Sequence, residues 1–168
     1  MAAKAESTAP AGEQQTLVKF EREDGVLIAI IDNPPVNAGS WGVRQGLADA
    51  MALATQDNGI EAVMIIGGGK TFISGSDIRE FGKPLREPQV PQVIQAIEYC
   101  PKPVIAAIHG AGLGGGYEIA LACDYRIAAQ APGVGPSYVR VGIITAAGGA
   151  QRPPRLTGMS TANGLITS

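Results

Sequence analysis

The 168-residue sequence predicts an α/β domain built on a largely parallel sheet. Strand-like and helix-like runs alternate along it, which implies parallel strands joined by crossover helices. Glu61 to Ile66 and Pro103 to Ile108 are near-continuous apolar runs, the pattern of strands covered on both faces. Each is followed closely by a glycine cluster, at residues 67–69 and 110–116. Open parallel sheets take their ligands beyond the carboxyl ends of their strands, so the glycines mark a candidate site before any chemistry is considered.

In chain order, Leu17 to Phe20 and Val26 to Ile31 read as a hairpin turned at Glu23-Asp24-Gly25. Asn33-Pro34-Pro35 stops the sheet, because proline has no N–H to give a ladder. Ser40 is the expected N-cap of a helix running to about Thr55, with Val43, Leu47, Ala50 and Ala54 on one face. After the Glu61–Ile66 strand come a loop and short helical stretch, then a helix from Val90 to about Tyr99. The second buried strand enters the long glycine cluster, from which Tyr117 to Cys123 reads as helix and Tyr125 to Ala128 as strand. Ala147 to Ser168 is predicted helical in two pieces, with Pro153-Pro154 a poor fit to the interior of the first.

Composition narrows the classes. With 45% apolar and 17% charged residues, the chain has the makeup of one globular domain with a real core. A net charge of −2 offers no field for nucleic acid or an anionic membrane. No run of about 18 apolar residues occurs to span a bilayer. Met1 to Gln15 is rich in Ala, Ser, Gln and Pro and is expected to be a mobile tail, leaving 16–168 as the domain. Cys100 and Cys123 form no metal-like cluster, and two buried free thiols suit a reducing cytoplasm.

Two nucleotide motifs nearly fit. Gly67-Gly68-Gly69-Lys70-Thr71 resembles the end of a P-loop, but Met64 stands where the first glycine is needed and no obvious helix follows. Gly110, Gly112 and Gly115 satisfy G-x-G-x-x-G, yet Asp124 begins the next strand, whereas a ribose-binding acid belongs near its end. Glu118 would also place negative charge beside a pyrophosphate. A different chemistry suits the glycines better. A helix beginning at Gly114-Gly115-Gly116 presents unpaired N–H groups to an oxygen that gains charge, as in an oxyanion hole. A second donor can come from Ser74-Gly75-Ser76-Asp77, and Glu118 lies about one turn on as general base or acid. On the residues alone an equal reading stays open, in which the glycines serve packing and Glu118 is a solvated first-turn acid.

Five segments in order then resemble the landmarks of the crotonase (enoyl-CoA hydratase/isomerase) superfamily. They are Asn33-Pro-Pro-Val-Asn-Ala38, Ser74-Gly-Ser-Asp-Ile78, Lys102-Pro-Val-Ile-Ala-Ala107, Gly114-Gly-Gly-Tyr-Glu118 and Ala147-Gly-Gly-Ala-Gln-Arg152. The stretch 71–82 and the ending Leu165-Ile-Thr-Ser168 most resemble the hydratase/isomerase domain that opens multifunctional β-oxidation enzymes. The resemblance implies a crotonase-like (ClpP/crotonase) spiral core of ββα repeats and an acyl-CoA substrate. It implies that the N–H groups of Ser76 and Gly115 form the oxyanion hole, with Gly114 beside them. Val36, Asn37, Ala38, Ser74, Ser76, Asp77 and Ile78 would line the CoA portion, and Glu118 would match the first catalytic glutamate. The implied reaction polarises the thioester, adds water at the β-carbon and protonates the enolate at the α-carbon. Coenzyme A arrives as part of the substrate, so no separate cofactor and no metal are expected.

Two departures accompany the resemblance. The family's second glutamate lies in a Gly-x-Pro-Glu segment, and at its place in Gly135-Pro-Ser-Tyr138 stands a tyrosine. With an ordinary pKa near 10, a phenol is a poor proton acceptor, though it can donate. A CoA-binding remnant or interaction subunit is therefore an alternative, and decarboxylation of a malonyl-type CoA a lesser one, since a branch of the superfamily is similar in its use of tyrosine. The family's domain also continues for roughly another third of its length as C-terminal helices, which this core would lack. A trimer-type homo-oligomer, or a partner supplying those helices, is the implied assembly.

Other residues carry structural expectations. His109 is read as packed or hydrogen-bonded, and Asp77 and Asp124 as acceptors of backbone N–H groups. Arg152 and Arg155 would anchor the final helix, Trp41 line the core or acyl pocket, and Met51 and Met159 fill the core.

Overall fold

A computed structural model describes residues 17–130, 133–139, 142, 144–145 and 147–167; the expected tail at 1–15 lies outside them. Strands β1 (Val18–Glu23) and β2 (Val26–Ile31) form the expected antiparallel hairpin. Asp24 and Gly25 both adopt positive φ, 44° and 80°, the backbone of a tight two-residue turn. Helix α1 (Trp41–Gln56) follows, then β3 (Ala62–Gly67), β4 (Thr71–Ile73), a 3-10 turn (Ile78–Glu80) and α2 (Val90–Glu98). Next come β5 (Val104–Ile108), β6 (Ala111–Leu113), α3 (Gly115–Ala122), β7 (Tyr125–Ala128) and β8 (Val134–Gly135). Helices α4 (Arg152–Thr157) and α5 (Met159–Thr167) end the described chain.

The strands sort into two sheets. The larger has the order β1-β2-β3-β5-β7, parallel from β2 onward; the smaller is β4-β6-β8, parallel throughout. From β3 on, each repeat gives its first strand to the large sheet and its second to the small one. This is a spiral of ββα turns, the crotonase-like architecture. The small strands are two or three residues long, without a period to mark them, and glycines flank or enter each of them. Gly110 shows why glycine recurs there: a Cβ at this position would lie 2.0 Å from the Lys70 carbonyl oxygen.

The core lies between the large sheet and helices α1, α2 and α3. Val43, Leu47, Ala50 and Ala54 are fully buried, as the 3.6-residue spacing predicts, against Val18, Leu27, Ile31 and Val63. Ser40 holds the N-cap position without capping through its side chain. Its hydroxyl instead accepts from Asn33 Nδ2 at 3.3 Å, and the Trp41 N–H is taken by Glu80 Oε1 at 2.6 Å.

Three expectations need correction. Helix α4 starts at Arg152 rather than Ala147, so Pro153 and Pro154 fall in its first turn, where no intrahelical N–H is required. Met159, expected in the core, is 65% exposed, while Met51 is 2% exposed. Trp41 is half-buried outside the core, its ring beneath the Arg86 guanidinium at 3.8 Å and its indole N–H donating to Glu87 O. The remaining structural expectations find their partners. His109 Nε2 lies 3.0 Å from Gly69 O, Asp124 accepts from Val104 N–H, and Arg152 pairs with Glu98. Cys123 is buried and Cys100 half-buried, both free. No described helix is long and apolar enough to cross a membrane, and no metal-like cluster occurs among the described residues.

Candidate functional site

A cavity of about 480 Å³ lies beyond the carboxyl ends of the small sheet. Its wall takes Ser74, Gly75 and Ser76 from the segment after β4, Gly114 from the turn after β6, and Ser137 and Tyr138 from the segment after β8. The carboxyl-end rule therefore holds, applied to the short second strands rather than to the long apolar ones. Ile78 and Phe81 close the wall with apolar surface.

Ser76 lines this wall and Gly115 lies beside it in space: a Cβ on Gly115 would sit 3.5 Å from Ser76 Oγ. Gly115 is the first residue of α3, whose N–H has no acceptor within the helix. Among the described residues, no hydrogen bond uses the N–H of Ser76 or of Gly115. Gly114 turns the chain between them with φ 51° and ψ −122°, a conformation open to glycine, and the Tyr138 ring packs against it.

Glu118 is 2% exposed, so it is not the solvated first-turn acid that the residues also allowed. Its Oε1 accepts from Ala147 N–H at 2.8 Å and Gly149 N–H at 3.0 Å, and its Oε2 from the Tyr138 hydroxyl at 2.5 Å. Gly149 must be small, because a Cβ there would lie 2.8 Å from Glu118 Oε1. Burial, then the hydrogen bond and charge of Glu118, push the Tyr138 phenol well above its usual range. Tyr138 is thus a neutral donor, and both oxygens of Glu118 are engaged.

An adjoining groove of about 430 Å³ collects Val36, Ala38, Ser74, Ser76, Asp77 and Ile78, with Asn33, Pro34, Pro35 and Arg79 completing it. Asn37 does not line it. Its side chain is buried and braces the loop, donating to Gly68 O and Thr71 O and accepting from Asn33 N–H. Asp77 accepts from the backbone and guanidinium of Arg79, which hold its carboxyl below the usual carboxylate range. The sequence reading missed Phe81 and the donors Ala147 and Gly149. The last two lie in a quoted landmark, Ala147-Gly-Gly-Ala-Gln-Arg152, that had no assigned role. A larger hollow of about 810 Å³ lies between α2 and α4, and Ala147 and Gly148 of the Glu118-binding segment form part of its wall.

The fold and this glycine-walled cavity define a crotonase-fold domain. Residues 21–168 match the enoyl-CoA hydratase/isomerase family, and the chain belongs to it. The chain is 48% identical over 143 residues to a peroxisomal bifunctional enzyme of Danio rerio, matching 85% of this chain and 20% of that protein. It is 40% identical over 150 residues to a probable enoyl-CoA hydratase of Bacillus subtilis, matching 85% of this chain and 58% of the relative. Among solved structures, Pseudomonas aeruginosa DspI superposes with a TM-score of 0.84 at 28% identity, covering 95% of this chain and 68% of DspI. An enoyl-CoA hydratase from Bacillus anthracis gives 0.83 at 31% identity, covering 90% and 63%. The chain thus spans between a fifth and about three fifths of the two curated relatives.

Proposed function

We propose that this chain binds an acyl-CoA thioester and stabilises its enolate, as an enoyl-CoA hydratase/isomerase-type domain of fatty-acid β-oxidation. The observation that carries the reading is that Ser76, on the cavity wall, and Gly115, its neighbour in space, both have N–H groups without acceptors among the described residues. A thioester oxygen accepting from both is stabilised most when it becomes an enolate oxygen, and α3 adds the positive end of its dipole. The acyl part lies against Ile78, Phe81 and Tyr138, and the CoA part along the groove of Val36, Ala38 and Asp77. The relatives' names support the substrate class. Several of them are peroxisomal proteins, so a cytoplasmic location stays an expectation.

In hydration, the water oxygen bonds to the β-carbon as one water proton passes to Glu118, and Glu118 then gives that proton to the enolate α-carbon, which restores its carboxylate. Glu118 Oε2 can accept that proton only after the Tyr138 hydroxyl turns away. This closed pair favours a second reading, a domain that binds the thioester without turning it over. Exposed Tyr125 and Ile127 on β7, with Leu156 and Met159 beyond, supply apolar surface for assembly with a second copy or another chain.

The test is hydration of a short trans-2-enoyl-CoA by the parent, Glu118→Ala and Tyr138→Glu. Parent turnover that Glu118→Ala abolishes supports the enzyme. A silent parent rescued by Tyr138→Glu supports the binding-only reading. Silence in all three, together with no acyl-CoA binding, rejects both.

A further inference from the structure

Phe81 to Gln89 forms no helix or strand, yet Phe81 reaches the cavity wall and the segment makes several definite contacts with α1. Two of them are made by Arg44, whose side chain is 6% exposed. Its Nε donates to Pro88 O at 2.7 Å, its Nη2 to Arg86 O at 3.3 Å, and its Nη1 to Gly39 O at 2.9 Å and Glu80 Oε2 at 2.8 Å. Glu80 in turn takes the first N–H of α1, from Trp41, and ends the 3-10 turn that begins at Ile78. Burying a guanidinium is expensive unless its donors are met, so this clasp has one well-defined geometry.

The clasp leads directly to the thioester site. Gly39, whose carbonyl Arg44 holds, donates its own N–H to Gly75 O at 2.7 Å and pairs with Ser76 in a parallel bridge. Arg44 and Glu80 line a cavity of about 370 Å³ together with Ser76 and Phe81. We propose that Arg44, paired with Glu80, is a positioning residue that aims the Ser76 N–H and sets the wall formed by Ile78 and Phe81. The proposal rests on the thioester reading above. Lysine cannot replace this arginine, because one ammonium cannot reach four acceptors spread over Gly39, Glu80, Arg86 and Pro88.

The experiment measures the dissociation constants of two ligands: a saturated acyl-CoA, and the S-alkyl-CoA thioether of equal length, which lacks the carbonyl. Two backbone hydrogen bonds predict that the parent prefers the thioester by about tenfold. In Arg44→Lys the preference is expected to fall to about twofold or less, and in Glu80→Gln by roughly threefold. A role confined to folding lowers the melting temperature and weakens both ligands equally, so an unchanged ratio overturns the proposal. Glu80 is more exposed, and its variant decides the matter if Arg44→Lys does not fold. A parent that binds neither ligand, or both equally, removes the thioester reading and the proposal with it. A parent that discriminates, beside variants that discriminate as well, removes the proposal alone.

Discussion

The two sides of the cavity are built on opposite principles. At Ser76 and Gly115 the polar groups are backbone N–H groups without acceptors among the described residues. Beside them, Glu118 and Tyr138 are side chains whose polar atoms are engaged by one another or by the backbone. In the proposed reading the donor side takes a ligand oxygen without rearrangement, which is how preorganised stabilisation acts. The acid side must first break a bond to a charged acceptor before it can move a proton. The proposed reading therefore separates binding from turnover, the first resting on backbone donors and the second depending on one phenol.

Three substitutions test that contrast. Glu118→Leu should have the largest effect, because it strands the N–H groups of Ala147 and Gly149. At least ~3 kcal/mol of folding stability should be lost, measured by urea unfolding. A loss below ~1 kcal/mol would show that the segment does not depend on the carboxylate.

Tyr138→Phe should cost less, about 1–2 kcal/mol, because water in the cavity can satisfy the freed Oε2. It also carries a pH signature. The folded phenol holds its proton beyond its usual range, so its contribution is intact below the unfolded pKa of about 10 and declines as pH rises further. Parent stability should fall from pH 10 upward with a slope that the phenylalanine variant lacks. Parallel curves for the two proteins would dissolve the Tyr138–Glu118 pair.

Ser76→Ala should change stability least, within about 0.5 kcal/mol. Among the described residues its hydroxyl makes no hydrogen bond, and its working atom is in the backbone. A larger loss would mean that the donor side also relies on side chains.

The large sheet and α1 to α3 were legible because long apolar runs and a 3.6-residue period carry their own signal. The small sheet was not, since β8 spans two residues and β4 and β6 three each. That omission moved the expected site by one strand, from the ends of β3 and β5 to those of β4 and β6. Tyr138 was legible as a substitution only through the resemblance, by its place in the segment that matches Gly-x-Pro-Glu. Its bond to Glu118 was not, since 20 positions separate them. Glu118 itself was undecided between solvent and chemistry until its burial excluded solvent. Arg44 and Glu80 left no trace in any motif, because a clasp between a helix and an irregular segment has no period.

Trp41, the chain's one tryptophan, sits in that clasp rather than in the core. Its ring is covered by Arg86 and its indole N–H is bonded to Glu87 O. Fluorescence excited at the indole band therefore responds to the arrangement of residues 80–88 around the start of α1. The protein carries its own optical gauge of the segment that reaches the Ser76 cavity, readable in a stopped-flow cell without label or mutation.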